Sequence, residues 1–107
     1  MNGMAWMALL AAGLVEIAGA LGLKYSDGFS KPLPTLATVA AVVLSFALLT
    51  LSLRAVPLGT AYAVWTGIGA AGTFLIGVWF FGDPNTLGRW FGAALIVAGV
   101  ATLKLAH

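Results

Sequence analysis

Met4-Ala-Trp-Met-Ala-Leu-Leu-Ala-Ala-Gly-Leu-Val-Glu16-Ile-Ala-Gly-Ala-Leu-Gly-Leu23 places one carboxylate in a run of twenty residues that carries no other charge. At a helical rise of ~1.5 Å per residue the run extends ~30 Å, the thickness of a bilayer's hydrocarbon core, and Glu16 falls ~4 Å from its midpoint. An acid at that depth costs at least ~2.5 kcal/mol on insertion scales, so it faces a partner or a water-filled cavity. Its default reading is therefore functional: a carboxylate there can hold a proton or a cation, and can exchange one for the other. The competing reading is a protonated Glu16 that bonds across helices and does nothing else. A Ser or Asn would serve that purpose at lower insertion cost.

The rest of the chain agrees with a membrane setting. Of 107 residues, 62% are hydrophobic and 7% charged, with a mean hydropathy of +1.07. That is too apolar for a water-soluble domain of this size. Three more apolar runs follow the first, giving spans of about 4–23, 33–53, 59–81 and 87–105, each long enough to cross as a helix. The first run has no basic leader and carries Glu16 in its middle, so it reads as a retained span and not a cleaved signal peptide. Charges and turn formers mark the joints: Lys24-Tyr25-Ser26-Asp27-Gly28 through Lys31-Pro32-Leu33-Pro34, Arg54 to Pro57, and Gly82-Asp83-Pro84-Asn85. The expected fold is an all-α integral membrane protein, a single four-helix transmembrane domain with short connections between antiparallel neighbours.

Several function classes drop out. Cysteine is absent and the single histidine is His107, so no metal site and no disulfide can be assembled. The five basic residues, behind a pI of about 9.4, all lie near span ends. That is the pattern of interfacial anchors and not of a nucleic-acid patch. One mid-span acid without a base, nucleophile or metal is no active site, so no enzyme and no cofactor are expected.

Four helices of this length form a bundle filled by its own side chains, too thin to enclose a polar path, so oligomerisation is expected. Gly88 and Gly92 form a GxxxG in the fourth span and Gly99 continues the line two turns on. The seam serves either a second copy or packing within the chain. Loop Lys and Arg give almost no orientation bias: Arg54, Lys104 and the terminal amine on one side balance Lys24, Lys31 and Arg89 on the other. Copies inserted both ways, and an antiparallel dimer, follow as a possibility.

Around Glu16, the residues three and four away on the same face are Ala12, Gly13, Gly19 and Ala20, all small, leaving room for a ligand or for another helix. In the third span Tyr62 and Trp65 share a face, where their rings can flank an organic cation or simply pack. Gly67, Gly69 and Gly72 follow, permitting either a bend or a tight crossing. Ser45 in the second span can donate to Glu16 or to the carbonyl four residues back in its own helix, the commoner arrangement. Lys104 is expected to snorkel to the interface and complement its helix C-terminus.

The run Gly59-Thr-Ala-Tyr62-Ala-Val-Trp65-Thr-Gly67-Ile-Gly69, with Glu16 in the first span, Lys24-Tyr25-Ser26-Asp27-Gly28-Phe29 after it and Gly92 and Gly99 in the fourth, closely resembles the small multidrug resistance family over essentially the whole chain. The resemblance implies a four-helix protein of the inner (cytoplasmic) membrane of a bacterium, working as an antiparallel dimer that exchanges protons for cationic substrates by alternating access. Carried over residue by residue, it makes Glu16 the shared proton and substrate carboxylate and Tyr62 and Trp65 the aromatic lining. Gly67 and Gly69 become the kink of the third helix, and the antiparallel dimer that the resemblance implies gives the seam read above at Gly92 and Gly99 a second copy to meet. Ser45, the Trp65-Thr-Gly-Ile-Gly-Ala run and Lys104 look like the guanidinium exporters of the family. Gly19 does not: that branch typically has Trp there, whereas Gly looks like the exporters of quaternary ammonium drugs and like members that pair as heterodimers. The resemblance thus leaves open guanidinium or quaternary ammonium as substrate, and homodimer or heterodimer with a paralogue as assembly. Outside it stand a passive cation channel and an accessory subunit whose larger partner supplies a base for Glu16.

Overall fold

The computed structural model describes residues 2–106; Met1 lies outside the described residues, and so does His107, the histidine set aside above as a metal ligand. Four helices account for nearly all of the rest: α1 (Asn2–Tyr25), α2 (Pro32–Ser52), α3 (Leu58–Phe80) and α4 (Leu87–Ala106). All four are long and apolar enough to cross a membrane.

Proline and glycine set the boundaries. Lys31 precedes Pro32 and is extended, at φ −103° and ψ 119°, because the proline ring excludes the helical region for the residue before it. Pro32 then opens α2 at a position whose N–H has no helical acceptor. Pro57 is instead the N-cap of α3, extended at φ −57° and ψ 146°, and its carbonyl accepts the Ala61 amide at 2.9 Å. The α3 exit turns on Gly82, at φ +68°, which lets the amides of Phe81 and Asp83 both reach the carbonyl of Gly77. Thr86 caps α4 by accepting the amide of Arg89 on its hydroxyl at 3.3 Å. The α1–α2 turn is organised by buried Ser26, whose hydroxyl donates to the Leu23 carbonyl at 2.7 Å and accepts the Phe29 amide at 3.2 Å.

The four helices do not close into the filled bundle that their lengths suggested. The Cα extents are 40 × 35 × 17 Å, a flattened slab about half as thick as it is wide. Helix α1 is central, packing along α2 and against α3, while α4 rests on α3 and none of its residues is buried. Among the described residues, its links to the rest include Phe74 edge-on to Trp90 at 5.1 Å and the Lys104 ammonium 4.7 Å above the Trp6 ring. Lys104 thus folds onto α1 as well as lying at a helix end.

The large buried side chains occupy one half of the slab: Trp6 and Leu9 of α1, Leu49 of α2, Val56 of the connection, and Val64 and Trp65 of α3. In the other half, α1 and α3 approach through glycines that receive side chains from the opposite helix. A Cβ built on Gly13 would stand 2.7 Å from Ile68, one on Gly69 would stand 3.1 Å from Glu16 Cγ, and one on Gly72 would strike the end of Ile17. On the far side of α3, Gly67 seats Val100 of α4 in the same way, 2.6 Å from a built Cβ. Dispersion between close backbones holds membrane helices together where no hydrophobic gain is available, and these absent side chains permit it.

Gly72→Leu should therefore drive α1 from α3 and lower the thermal unfolding midpoint in detergent, with an overpacking cost of ~1–3 kcal/mol. Gly59→Ala, at a glycine with nothing within 4 Å of a built Cβ, should leave the midpoint unchanged or slightly raised. Equal midpoints for the two variants would show that the α1–α3 approach is not what the glycines are for.

Candidate functional site

Glu16 lies in the glycine half, on the face of α1 that meets α3, and is half-buried. Its aliphatic stem rests over Gly69, with Cγ and Cβ at 3.1 and 3.6 Å from where a Cβ would stand. A Cβ at position 69 would press on this stem, which would have to give by a few tenths of an ångström. Among the described residues the carboxylate takes no hydrogen bond and no ion pair, and its oxygens keep open surface. The acid at mid-span is thus held by its stem and free at its head.

One turn before it, a three-helix knot fixes the neighbouring aromatic residues. The Ser45 hydroxyl of α2 donates to the Ala12 carbonyl of α1 at 2.7 Å, and the Trp65 indole N–H of α3 donates to the same Ser45 oxygen at 2.8 Å. Ser45 is fully buried and Trp65 nearly so. Ser45 therefore bonds neither Glu16 nor its own helix, the two partners weighed from the sequence. The reason is geometric: Ala12 sits where α1 and α2 touch, and its carbonyl, already the helical acceptor for the Glu16 amide four residues on, has a second lone pair to offer. A hydroxyl that accepts and donates at once joins all three helices at a point.

Trp65 is further confined by rings on both sides. Phe46 lies 5.2 Å away between centroids and Tyr62 5.5 Å, both tilted. Tyr62 itself is 56% exposed and its hydroxyl has no partner among the described residues. The fold thus brings Tyr62, Trp65 and Ser45 into one cluster, with Glu16 a turn along α1 from the carbonyl to which that cluster is bonded.

The remaining candidates divide. Gly19 is buried against α2, where a built Cβ would stand 3.6 Å from Ala41 and from Val42. The space it leaves is filled by a helix. Gly67 and Gly69 lie in an unbroken stretch of α3 and face opposite ways, Gly67 toward Val100 and Gly69 toward Glu16. Gly88, Gly92 and Gly99 meet nothing within 4 Å. Gly92 instead lines an open cleft of about 250 Å³ with Arg89, and Gly67 and Gly99 line another of about 450 Å³.

Sequence reasoning missed Phe46, the Ala12 carbonyl and the isoleucines Ile17 and Ile68. Phe46 adjoins Ser45, but nothing in the spacing shows that it covers Trp65. A backbone acceptor carries no side-chain signal at all. The isoleucines become legible only when Gly13 and Gly72 are read as seats that need an occupant.

Residues 4–96 match the family described as "Small Multidrug Resistance protein". Among curated relatives, a "Guanidinium exporter" of Citrobacter freundii is 47% identical over 102 residues, 95% of this chain and 97% of its own length. One of the same description from Salmonella typhimurium matches equally. Another from Yersinia pseudotuberculosis is 48% identical over 103 residues, 96% and 99% of the two chains. With a family match across most of the chain, relatives nearly half identical over almost their full length and four helices long enough to span a membrane, the chain belongs to the small multidrug resistance family of multi-pass membrane transporters.

Proposed function

We propose that the protein exports small organic cations, guanidinium compounds foremost, in exchange for protons, as a dimer that alternates its access between the two faces of a bacterial inner membrane. The observation that carries this reading is Glu16: mid-span, without a cationic partner among the described residues, and open at its oxygens. Relatives nearly half identical over their full length bear the description guanidinium exporter.

Coupling needs no more than one site with two exclusive occupants. Deprotonated Glu16 attracts the cation, and once protonated it offers no charge and releases it. The low dielectric of the span makes the exclusion strong, because neither a bare carboxylate nor a bare cation is stable there alone. Trp65, buried and bonded to Ser45, acts as the fixed backing for the Tyr62 ring 5.5 Å away; exposed Tyr62 offers the aromatic face and the free hydroxyl to a planar cation. Gly19 faces Ala41 and Val42 of α2 at ordinary contact distance, which supports a small planar ion over a bulky quaternary ammonium.

A single slab leaves Glu16 open on one side and α4 uncovered. A second copy seated on the empty glycines Gly92 and Gly99 covers α4 at close backbone distance. The nearly balanced loop charges favour an antiparallel homodimer over a parallel one. In an antiparallel pair, Gly67 and Gly69 give α3 the freedom to bend differently in the two copies, which is what alternation between faces requires.

In liposomes with an imposed pH gradient, the protein should drive guanidinium uptake. Glu16→Gln should abolish it with the dimer intact, since Gln keeps the shape and cannot titrate. Gradient-driven uptake by the variant overturns the coupling scheme, and guanidinium flux indifferent to pH would mean a passive channel.

Ser45→Ala leaves the Trp65 N–H without an acceptor, at a stability cost of ~1–3 kcal/mol, and frees the ring. Guanidinium KM should rise several-fold, while Ser45→Thr, which keeps the hydroxyl, should restore it in part. An unchanged KM in Ser45→Ala would separate Trp65 from the substrate.

Adding lysines to the loop at positions 82–85 should fix one orientation and lower activity from a single gene, and co-expression of an oppositely biased variant should recover it. Full activity from a chain proven to insert one way would rule out the antiparallel pair.

A further inference from the structure

At the membrane end formed by the start of α1 and the end of α2, a cleft of about 310 Å³ is lined by Met4, Ala5, Ala8, Leu51, Arg54 and Ala55. Three alanines leave the slot. Met4 and Leu51, 73% and 49% exposed, line it from the two helices, and Arg54 is the one charged residue of the lining. The Arg54 side chain is exposed and, among the described residues, has neither an ion pair nor a hydrogen bond.

Charge at this end is one-sided. The chain has three acidic residues. Glu16 is at mid-span, and Asp27 and Asp83 lie in the α1–α2 and α3–α4 connections at the opposite end. Among the described residues, the basic side chains here are Arg54 and Lys104, and Lys104 is committed to the Trp6 ring at 4.7 Å. Arg54 thus stands at the water–lipid boundary above an apolar slot, with no acidic side chain at its end of the protein. Its planar fork is suited to two phosphate oxygens at once. The slot beneath it is roughly the size of the smallest ligand pockets, enough for part of an acyl chain and not for a folded partner.

From this juxtaposition we infer that the α1–α2 cleft is a binding site for an anionic phospholipid, its phosphate on Arg54 and the upper part of one acyl chain between Met4, Ala8 and Leu51. A basic residue over a groove between membrane helices is a recurring headgroup site. The cation substrates of the transport site are repelled from it. A zwitterionic lipid brings an ammonium to a surface whose side-chain charge is wholly positive, so phosphatidylglycerol binds better than phosphatidylcholine. The Arg89 cleft on the other membrane face does not share this assignment, because it is lined by Gly92, Ala93 and Ile96, on the seam proposed for the second copy.

Native mass spectrometry of the purified protein in detergent tests the site, with phosphatidylglycerol, phosphatidylcholine of the same chains, and glycerol phosphate as probes. Phosphatidylglycerol should be retained ~fivefold better than phosphatidylcholine, the preference expected from one surface charge. Arg54→Gln should erase the preference and Arg54→Lys should keep part of it. Ala8→Leu, which fills the slot, should lower retention of both lipids with the oligomer mass unchanged. Equal retention of the two lipids by the unaltered protein overturns the proposal, as does a preference that survives Arg54→Gln or is instead lost in Lys104→Gln. Glycerol phosphate binding as well as the intact lipid would reduce the site to a phosphate contact and overturn the acyl assignment.

Discussion

A carboxylate inside hydrocarbon must always be accompanied by a proton, a cation or a donor, and the arrangement of this protein follows from leaving Glu16 with none of these built in. Its stem lies on Gly69 and its head keeps open surface. Had the chain supplied Glu16 with its own lysine, the pair would be settled and inert, because removing either member would strand the other at a cost of ~3–5 kcal/mol. Instead every basic side chain sits near a helix end. Lys24, the nearest along α1, is turned outward over the Phe81 ring at 5.0 Å. On the proposed reading, the need for a companion is passed to whatever enters from solution, and an unfavourable burial becomes a binding site.

Holding such a site requires that one part of the slab be stiff and another yielding, and the two kinds of contact are segregated along α1. Toward its N-terminus, Trp6, Leu9 and Ala12 are locked by the buried core and by the Ser45 knot, where a hydroxyl bonded to two other helices tolerates little sliding. From Gly13 onward the contacts to α3 are side chains seated on glycine, smooth and without hydrogen bonds between the two helices among the described residues. Van der Waals seats can be exchanged at small cost, whereas a buried indole N–H cannot be left unbonded. Motion of α3 against α1 is therefore cheapest beyond Gly67, and Glu16 lies on that side of the knot.

The number and type of helices was legible in the sequence because the apolar runs have the length of a bilayer and the joints hold prolines and glycines where helices must stop. Glu16 was legible because of its cost: an acid at mid-span stands out in a run of twenty residues with no other charge. What the sequence could not show was direction around each helix. Helical spacing puts Gly19 on the face of Glu16, yet that face is wide enough to meet both α2 and α3, and Gly19 turns to α2. Ser45 offered two short-range partners and took a third, a backbone carbonyl on another helix that no side-chain pattern encodes. The glycines of α3 read equally as a hinge or as a close packing, and here both Gly67 and Gly69 receive a neighbour while α3 continues unbroken through them. The two readings are not rivals. A glycine that seats a side chain also leaves its own helix without the Cβ packing that would stiffen it.

The expected filled bundle gave way to a slab for a reason that lies outside the single chain. In water, four apolar helices would collapse to hide their surfaces. In a bilayer the surrounding chains are as apolar as leucine, so α4 gains little from closing onto α1 and α2 and stays where small residues let it approach α3. The same absence of a hydrophobic drive means that its outer face, with Gly92 and Gly99 meeting nothing, is not an error awaiting burial by collapse. Only a backbone that can come closer than lipid does will displace lipid from it. A second copy would offer such a surface, and the pairing proposed through α4, remote from the Ser45 knot, would join two protomers without constraining the α1–α3 contact on which Glu16 rests.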